Sequence, residues 1–364
     1  MANLKAAVIS LGSVSSDMLV EKLKEHFDHV EHIDLKQTEI RLGKSDFTVL
    51  YKGKPLEKFD CIYVKGSFRY VDLLTSIVTI LHKETYIPTR PDSFNVCHDK
   101  LLTHLALQEH KVPNPQTYLF SSVSAAKAVL QTLQYPIVMK LPHGTHGKGV
   151  IFADSPESAS SMLDTLHTLK QPFIVQEYIE TGGVDIRAIV VGDEVAACMQ
   201  RKAALGEKRA NIHAGGSGEA IQLDEKAKKI AVAAAQAVGC DICAIDILKG
   251  PKGYTVLEVN ISPGLQGITR VTGLDVAGKL AKFLHDKTVA FKAEKASQSV
   301  GAVKKELGLE GKPDVTEVIA HPDFRGERLL VPEIASQLAQ FKATEDLVFK
   351  AQKGKIVIKR LEEA

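Results

Sequence analysis

Residues 243–263 contain three polar side chains that could act together on a cation. Two apolar, β-branched runs flank Gly250-Pro251-Lys252-Gly253, and this pattern predicts a β-hairpin. A type I turn that starts at Pro251 and ends in a left-handed glycine forms a three-residue loop. Such a loop pairs Gly250 with Tyr254, and this pairing sets the register of both strands.

The predicted register brings two carboxylates together. It sets Asp246 opposite Glu258, and strand alternation puts Asn260 on the same face as Glu258. Facing carboxylates repel each other, and a bound cation removes that conflict. Because all the ligands are oxygens, they favour Mg²⁺ or Mn²⁺ over Zn²⁺, and Mg²⁺ held by few carboxylates usually also holds substrate phosphates. An ordinary hairpin with a solvated polar face is the alternative interpretation.

A glycine-rich segment offers a second chemical feature. His143-Gly144-Thr145-His146-Gly147-Lys148-Gly149 follows a predicted strand that ends near Lys140. Glycine lets several backbone N–H groups turn toward one anion, and Lys140 could reach phosphates held there. The segment is not a P-loop, because the Gly-Lys-Ser/Thr ending is missing and a strand follows. A glycine hairpin without a ligand is the alternative.

Further polar groups lie at the ends or starts of predicted strands. The backbone of Gln176, Glu177 and Tyr178, at the end of an apolar strand, could recognise an adenine amine. Asp185 and Arg187 lie on one face of the next strand, where a surface ion pair is the simpler interpretation. Arginines that follow a strand could neutralise a phosphate during its transfer. The residues of that polar stretch are Arg201, Arg209 and Asn211.

Length and composition set broad limits on the protein. Its 364 residues are 45% hydrophobic and 25% charged, an ordinary globular composition that allows two or three domains. A net charge of +2 indicates no preference for nucleic acids or other polyanions. The five scattered cysteines predict no disulfide framework and fit a reducing compartment. With no recognisable signal peptide or membrane-spanning run, the expected location is the cytoplasm.

The elements that must position these groups follow from hydrophobic periodicity. In the first ninety residues, strands at 6–11, 30–35, 48–51 and 61–64 and a helix at 15–26 predict a small parallel α/β domain. Its first turn lacks G-x-G-x-x-G, so no dinucleotide site is predicted. The segment Lys65-Gly66-Ser67 lies just past a strand end, where α/β sheets bind ligands, although a plain solvated loop is slightly favoured.

The middle of the chain mixes helices with antiparallel strands. Helices are predicted at 95–110, which contains Asp99-Lys100, at 156–166, and at 224–238 after an Asp224 cap. Strands are predicted at 136–141, 150–152, 173–178, 184–191 and 194–200. We expect the last two to form a hairpin around Gly192-Asp193, and helix 224–238 to lead into the hairpin with the carboxylates.

In combination, these motifs resemble the ATP-grasp superfamily and, within it, the RimK-type α-L-glutamate ligases. The resemblance covers about residues 1–290 and implies a mixed α/β and α+β fold. It implies a Rossmann-like pre-ATP-grasp domain (1–92), a small lid subdomain (93–183) and a large subdomain with the metal site (184–290). The motifs that carry it are Asp99-Lys100, Lys140, residues 144–150, Gln176-Glu177-Tyr178, residues 184–187, Arg201, residues 206–213, Asp246, residues 257–264 and residues 272–276.

The resemblance also implies roles for these residues. It assigns Lys100, Lys140 and the glycine segment (Gly144, Thr145, Gly147 and Gly149) to the ATP phosphates. It assigns Gln176, Glu177, Tyr178, Asp185 and Arg187 to the rest of the nucleotide site, and Arg201, Arg209 and Asn211 to catalysis. It assigns Asp246, Glu258 and Asn260 to two Mg²⁺ or Mn²⁺ ions.

The implied reaction is amide formation. A carboxylate attacks the γ-phosphate of ATP to give an acyl phosphate and ADP, and an amino acid amine then displaces phosphate. Glutamate is the usual amino acid, and the acceptor is a small molecule or a protein tail. The segment at Lys65 departs from the family's arginine-containing loop, which leaves the acceptor open. The alternatives are a nucleotide-binding regulator with an inactive core, and a ligase of another branch that acts on D-alanine or a purine intermediate.

The last part of the chain, residues 300–364, falls outside the resemblance. Strands are predicted at 315–320, 328–332, 347–350 and 355–359, with a helix at 333–341. This order resembles swapped-hairpin AbrB-type modules weakly. With 13 Lys and Arg against 12 Asp and Glu after residue 290, the charge does not support DNA binding. We expect a β-rich appendage for homo-oligomerisation or acceptor docking.

Overall fold

The structure is a computed structural model that divides into two compact units, Met1–Lys295 and Ala296–Ala364. It describes residues 3–44, 46–141, 149–203, 217–306, 323–332, 335–336, 339, 342, 346–353 and 355–360. Among these residues, no helix is both long and apolar enough to cross a membrane.

The N-terminal part of the first unit contains the predicted parallel sheet. Its strands run in the order β2-β1-β6, and both pairings are parallel. The chain between β2 and β6 forms a separate antiparallel sheet with strand order β3-β4-β5. Helix α2 was not predicted, and its Leu74 and Ile77 belong to the buried core. The elements are β1 (Lys5–Ser10), α1 (Val14–Leu23), β2 (His29–Asp34), β3 (Thr38–Leu42), β4 (Phe47–Tyr51), β5 (Lys54–Pro55), β6 (Cys61–Val64) and α2 (Val71–Leu81).

A second, antiparallel sheet follows, with strand order β7-β10-β8-β9. Its own core contains Ala126 and Leu130 of α5, Leu163 of α6, and Met139 and Val175 of the sheet. The elements are α3 (Ser93–His98), α4 (Lys100–Glu109), β7 (Thr117–Tyr118), α5 (Val123–Leu130), β8 (Ile137–Lys140), β9 (Val150–Ala153), α6 (Pro156–Thr168) and β10 (Ile174–Glu177).

The single helix predicted over residues 95–110 is wrong, because Asp99 divides it into α3 and α4. Asp99 has extended backbone angles (φ −109°, ψ 118°), and its carboxylate accepts from the N–H groups of Leu101 and Leu102. An aspartate satisfies these otherwise unpaired N–H groups better as a cap than within a helix. The break makes Lys100 the first residue of α4.

The third sheet is antiparallel, with strand order β13-β12-β11-β14-β15. One face packs against the alanine-rich helix α7, which Asp224 caps as predicted. The other face packs partly against residues of α8 and α9 such as Ile268 and Leu280. The elements are β11 (Val184–Val191), β12 (Glu194–Lys202), β13 (Ser217–Ala220), α7 (Glu225–Ala237), β14 (Ile242–Gly250), β15 (Gly253–Asn260), α8 (Gln266–Thr272) and α9 (Val276–Glu306).

The hairpin of β14 and β15 has the predicted carboxylate pairing but not the predicted turn. Gly250 pairs with Gly253, so the loop has two residues rather than three. A bulge at Leu257 then shifts the register by one residue, and Asp246 faces Glu258. The two differences cancel, which is why the sequence-based register and the observed register agree at the carboxylates.

The second unit contains two β-hairpins. Strands β16 (Asp323–Arg325) and β17 (Arg328–Leu330) form one, and β18 (Leu347–Gln352) and β19 (Lys355–Arg360) form the other. The predicted strand at 315–320 and most of the predicted helix at 333–341 lie outside the described residues. Helix α9 passes through residue 290 without a break, so the boundary expected there falls inside a helix.

Candidate active site

Five charged residues of the third sheet, Asp185, Arg187, Arg201, Asp246 and Glu258, share the face opposite α7. Ile186, Ala188 and Ile245 point to the α7 side, so strand alternation turns Arg187 and Asp246 to the other side. The cross-strand pairs on that side join four consecutive strands of the sheet, β12, β11, β14 and β15. They are Asp185 with Arg201, Arg187 with Asp246, and Asp246 with Glu258.

Two arginines, one on β11 and one on β12, hold Asp246 of β14. Arg187 donates from Nε to Oδ1 and from Nη2 to Oδ2, both at 2.7 Å, and Arg201 donates from Nη2 to Oδ2 at 2.9 Å. Burial favours the neutral acid, but the charges of the two arginines outweigh it and lower the pKa of Asp246. Asp246 is therefore a fixed carboxylate at neutral pH.

Arg201 also forms a bidentate pair with Asp185. Its Nε and Nη2 donate to the two carboxylate oxygens at 2.6 Å, and both side chains are buried. Burial raises the pKa of Asp185 to about 6, which leaves the pair ionised at pH 7. The alternative interpretation, a surface ion pair between Asp185 and Arg187, does not hold, because each of the two residues pairs with a residue of a neighbouring strand.

Asn260 links the last strand to this network. With its amide nitrogen toward Glu258, it donates to Oε1 at 3.0 Å, and its oxygen accepts from Arg187 Nη2 at 3.3 Å. Glu258 is open to solvent on one side, yet desolvation by the surrounding protein, followed by the charge of Asp246, raises its pKa. The three predicted metal ligands are therefore neighbours on one surface.

Two lysines approach this surface from the second sheet and from α4. Lys140 ends β8 and Lys100 begins α4. Desolvation lowers the pKa of Lys140 to about 8 and also lowers that of Lys100, while the charge of Glu258 opposes both shifts. Both ammonium groups thus lie within the field of Glu258, which favours binding of a polyanion beside the carboxylates.

Comparison with known proteins agrees with this geometry. The model of the RimK-like ATP-grasp domain matches residues 97–284, more than half of the chain. The chain belongs to the RimK-like ATP-grasp family. A protein of Halorhodospira halophila named probable alpha-L-glutamate ligase is 34% identical over 286 residues, which cover 77% of this chain and 95% of that protein.

Solved structures share the fold at lower identity. The ATP-grasp ligase PsnB with its minimal precursor has a TM-score of 0.62 and 18% identity, over 78% of this chain and 99% of that one. PsnB has also been solved with the minimal precursor, Mg and ADP. D-alanine–D-alanine ligase of Bacillus anthracis with ATP has a TM-score of 0.56 and 17% identity, over 81% and 100%. The present chain is an ATP-dependent ligase of the ATP-grasp fold.

As an ATP-grasp ligase, the protein uses ATP with Mg²⁺, and its residues fit the ion. Among the described residues, Asp246 Oδ1 accepts a hydrogen bond from Arg187 Nε alone, so a second lone pair stays available. Glu258 faces Asp246, and the Asn260 amide oxygen, which accepts one hydrogen bond from Arg187 Nη2, has a second lone pair to offer. A few fixed oxygen donors with room for phosphate oxygens are what Mg²⁺ accepts.

The three residues predicted to lie near the nucleotide base, Gln176, Glu177 and Tyr178, each contact a different part of the protein. The amide nitrogen of Gln176 donates to His104 Nε2 at 2.6 Å and to Thr117 Oγ1 at 2.8 Å, so this buried side chain holds α4 and β7. Glu177 accepts from the N–H of Gln116 at 3.0 Å. Tyr178 packs edge-on against Phe152, with ring centroids 5.9 Å apart.

Gly149 is the one glycine of the predicted phosphate segment among the residues that the structure describes. Gly149 has φ +79°, and its carbonyl accepts from the N–H of Leu141, so the two ends of the segment are joined. A Cβ on Gly149 would lie 2.9 Å from Leu141, which explains the need for glycine. Gly144, Thr145 and Gly147, together with Arg209 and Asn211, lie outside the described residues. Arg201 lies within β12 rather than after a strand.

Sequence reasoning gave no role to His104, which lies next to the lysines. Desolvation, followed by the charge of Lys140 and, to a smaller extent, that of Lys100, lowers the pKa of His104 to about 4. His104 is one turn after Lys100, so the two share a face of α4. The i, i+4 spacing was visible in the sequence, but only the fold brings Gln176 to the ring.

Proposed function

We propose that the protein is an ATP-dependent carboxylate–amine ligase that adds L-glutamate, or a similar amino acid, to a carboxylate acceptor. The observation that carries this proposal is the shared surface of Asp246, Glu258 and Asn260, with Lys100 and Lys140 beside it. The reaction is ADP-forming and proceeds through an acyl phosphate. The relationship to proteins named probable alpha-L-glutamate ligase supports glutamate.

In this proposal the chain's own side chains mainly position and neutralise charge. Lys100 and Lys140 bind the phosphates of ATP, and Arg201, Arg209 and Asn211 stabilise the charge that develops during transfer. Asp246, Glu258 and Asn260 hold two Mg²⁺ or Mn²⁺ ions, which supply charge neutralisation at the transferred phosphate. Arg187 keeps Asp246 ionised and oriented, and Asp185 does the same for Arg201.

The groups that contact the nucleotide base and the glycine segment complete the proposed ATP site. The segment with Gly144, Thr145, Gly147 and Gly149 covers the phosphates. Backbone groups after Gln176, at Glu177 and Tyr178, recognise adenine, whereas Asp185 is engaged by Arg201. The domain limits that go with this assignment are 1–92, 93–183, 184–290 and 300–364.

The acceptor is proposed to be a small molecule or a protein tail. PsnB, which shares the fold, has been solved with the precursor peptide PsnA2, and this supports a peptide-sized acceptor. The C-terminal unit is proposed to serve oligomerisation or acceptor docking in a homo-oligomer. The five cysteines are free thiols, which supports a reducing compartment such as the cytoplasm.

The deciding experiment measures ADP release with L-glutamate, Mg²⁺ and a cell metabolite extract, followed by mass spectrometry of the product. The expected product is an acceptor that gains one glutamyl residue. A parallel reaction with D-alanine alone tests the branch represented by D-alanine–D-alanine ligase. ATP binding without ADP release under every condition would favour a regulatory protein and would overturn the proposal.

A further inference from the structure

Lys65 is a cation of the N-terminal domain that reaches the segment directly after β15, the strand that carries Glu258 and Asn260. Its backbone N–H donates to the carbonyl of Ile9, which places it at the carboxyl edge of the parallel sheet. Its Nζ donates to the carbonyl of Pro263 at 3.2 Å, three residues beyond Asn260. The next residue, Gly66, donates its N–H to Ser262 Oγ at 3.1 Å. Two hydrogen bonds therefore join this loop to the end of β15.

The loop that contains Lys65 and Gly66 also packs closely against the hydrophobic core. A Cβ on Gly66 would lie 2.9 Å from Leu74 and 3.0 Å from Leu35, two fully buried side chains. Only glycine lets the backbone lie this close to the core. The position of Lys65 is thus set by the core on one side and by Ser262 and Pro263 on the other.

The charge of Lys65 lacks a compensating anion among the residues that the structure describes. No salt bridge to it occurs in that part of the chain, and its one described side-chain partner is the neutral carbonyl of Pro263. Desolvation lowers its pKa to about 8. A half-buried ammonium with one carbonyl partner keeps donors for a ligand, and an anionic ligand would offset the cost of its burial.

We infer that Lys65 binds a carboxylate of a substrate and thereby selects for an acidic substrate at the edge of the proposed metal site. This inference rests on the proposed function, since a ligase of this kind handles an amino acid and a carboxylate acceptor. Carboxyl edges of parallel sheets are where α/β folds bind their ligands. The carboxylate belongs either to the amino acid or to the acceptor, and both present the same chemistry to an ammonium group.

The test compares Lys65→Met and Lys65→Arg with Lys83→Met, an exposed lysine of the same domain. Two probes, L-glutamate and the dipeptide N-acetyl-L-glutamyl-L-glutamate, are titrated calorimetrically into the protein with Mg²⁺ and a non-hydrolysable ATP analogue. We expect Lys65→Met to weaken binding of one probe by about 10- to 100-fold, the range for a charge-assisted hydrogen bond. Lys65→Arg should retain much of the wild-type affinity for that probe, and Lys83→Met should leave the affinity for both probes unchanged.

Neutral analogues separate charge recognition from a purely structural contact with Pro263. L-glutamine and L-isoglutamine each replace one carboxylate of glutamate with an amide, and the same substitutions can be made in the dipeptide. The wild type should discriminate against one of these amides, and Lys65→Met should lose that discrimination. If Lys65 were only a structural contact, Lys65→Met would weaken the binding of the acids and of the amides equally. It would also lower the affinity for the nucleotide.

The source of the carboxylate follows from which probe responds. A loss confined to L-glutamate identifies the amino acid, and a loss confined to the dipeptide identifies the acceptor. Equal affinity of the wild type and Lys65→Met for both probes overturns the inference. Failure of the proposed function is a separate result, because it appears as no ADP release by the wild type in any reaction mixture.

Discussion

Arg187 and Asp246 form a bidentate ion pair across neighbouring strands, with both N–O distances at 2.7 Å. The pair fixes the orientation of the carboxylate that faces Glu258. Because Arg201 also donates to Asp246, the proposed metal ligand belongs to a buried network of two arginines and two aspartates. Positioning of the ligand and stability of the sheet therefore depend on the same side chains.

Replacing Glu258 with glutamine should abolish phosphoryl transfer and leave the fold intact. The amide keeps the size of the side chain but removes a charge that faces Asp246 and lies near both lysines. ADP release and circular dichroism measure the two effects. Glu194→Gln, an exposed glutamate of β12, is the matched control and should retain full activity. A folded Glu258→Gln protein with normal ADP release would show that the metal assignment is wrong.

Arg201→Met should lower the free energy of unfolding by about 3–5 kcal/mol, because it leaves Asp185 and Asp246 less compensated in the interior. Urea unfolding followed by circular dichroism gives the value. The double variant Arg201→Met/Asp185→Asn should lose less free energy of unfolding than the two single variants lose together, since it removes one of the uncompensated charges. Additive losses would mean that the two residues do not stabilise each other.

His104 should make stability fall between pH 6.5 and pH 4. Its pKa drops from the ordinary 6.5 to about 4 in the folded protein, so the unfolded state binds the proton first as the pH falls. The contribution is full above pH 6.5 and is about 3 kcal/mol at most. His104→Gln should flatten the pH dependence of urea unfolding, and His110→Gln on the exposed end of α4 should not.

The His104→Gln substitution should also weaken ATP binding. The hydrogen bond from Gln176 requires an unprotonated His104 Nε2 and anchors α4 one turn after Lys100. Protonation or loss of the ring should therefore misplace Lys100 and raise the KM for ATP. An unchanged KM for ATP in His104→Gln across pH 5 to 8 would contradict this positioning role.

A chain that ends at Lys295 should keep ATP binding and metal dependence. The cut must follow residue 292, because Thr288 is fully buried and Lys292 pairs with Asp60. Light-scattering mass and nucleotide affinity of the shortened chain are the measurements. We expect a lower oligomeric state or weaker use of a macromolecular acceptor. Unchanged mass, solubility and acceptor use would show that the C-terminal unit has neither role.

The sequence predicted the site best where local patterns decide it. Alternation along β14 and β15 put Asp246, Glu258 and Asn260 on one face, and the structure agrees even though the turn is shorter than predicted. The bulge at Leu257 that restores the register has no signal in the hairpin pattern, because Val256 and Leu257 are both apolar and either could occupy the buried face.

Contacts between distant segments were decided by the tertiary structure. The sequence by itself determined the residue types, the strand alternation, the capped helix α7 and the family resemblance. It did not determine that Asp185 pairs with Arg201, or that Lys65 meets Pro263 across 198 positions. Hydrophobic periodicity reports which face of an element is buried, but not which element covers it, and a polar side chain takes its partner only after packing.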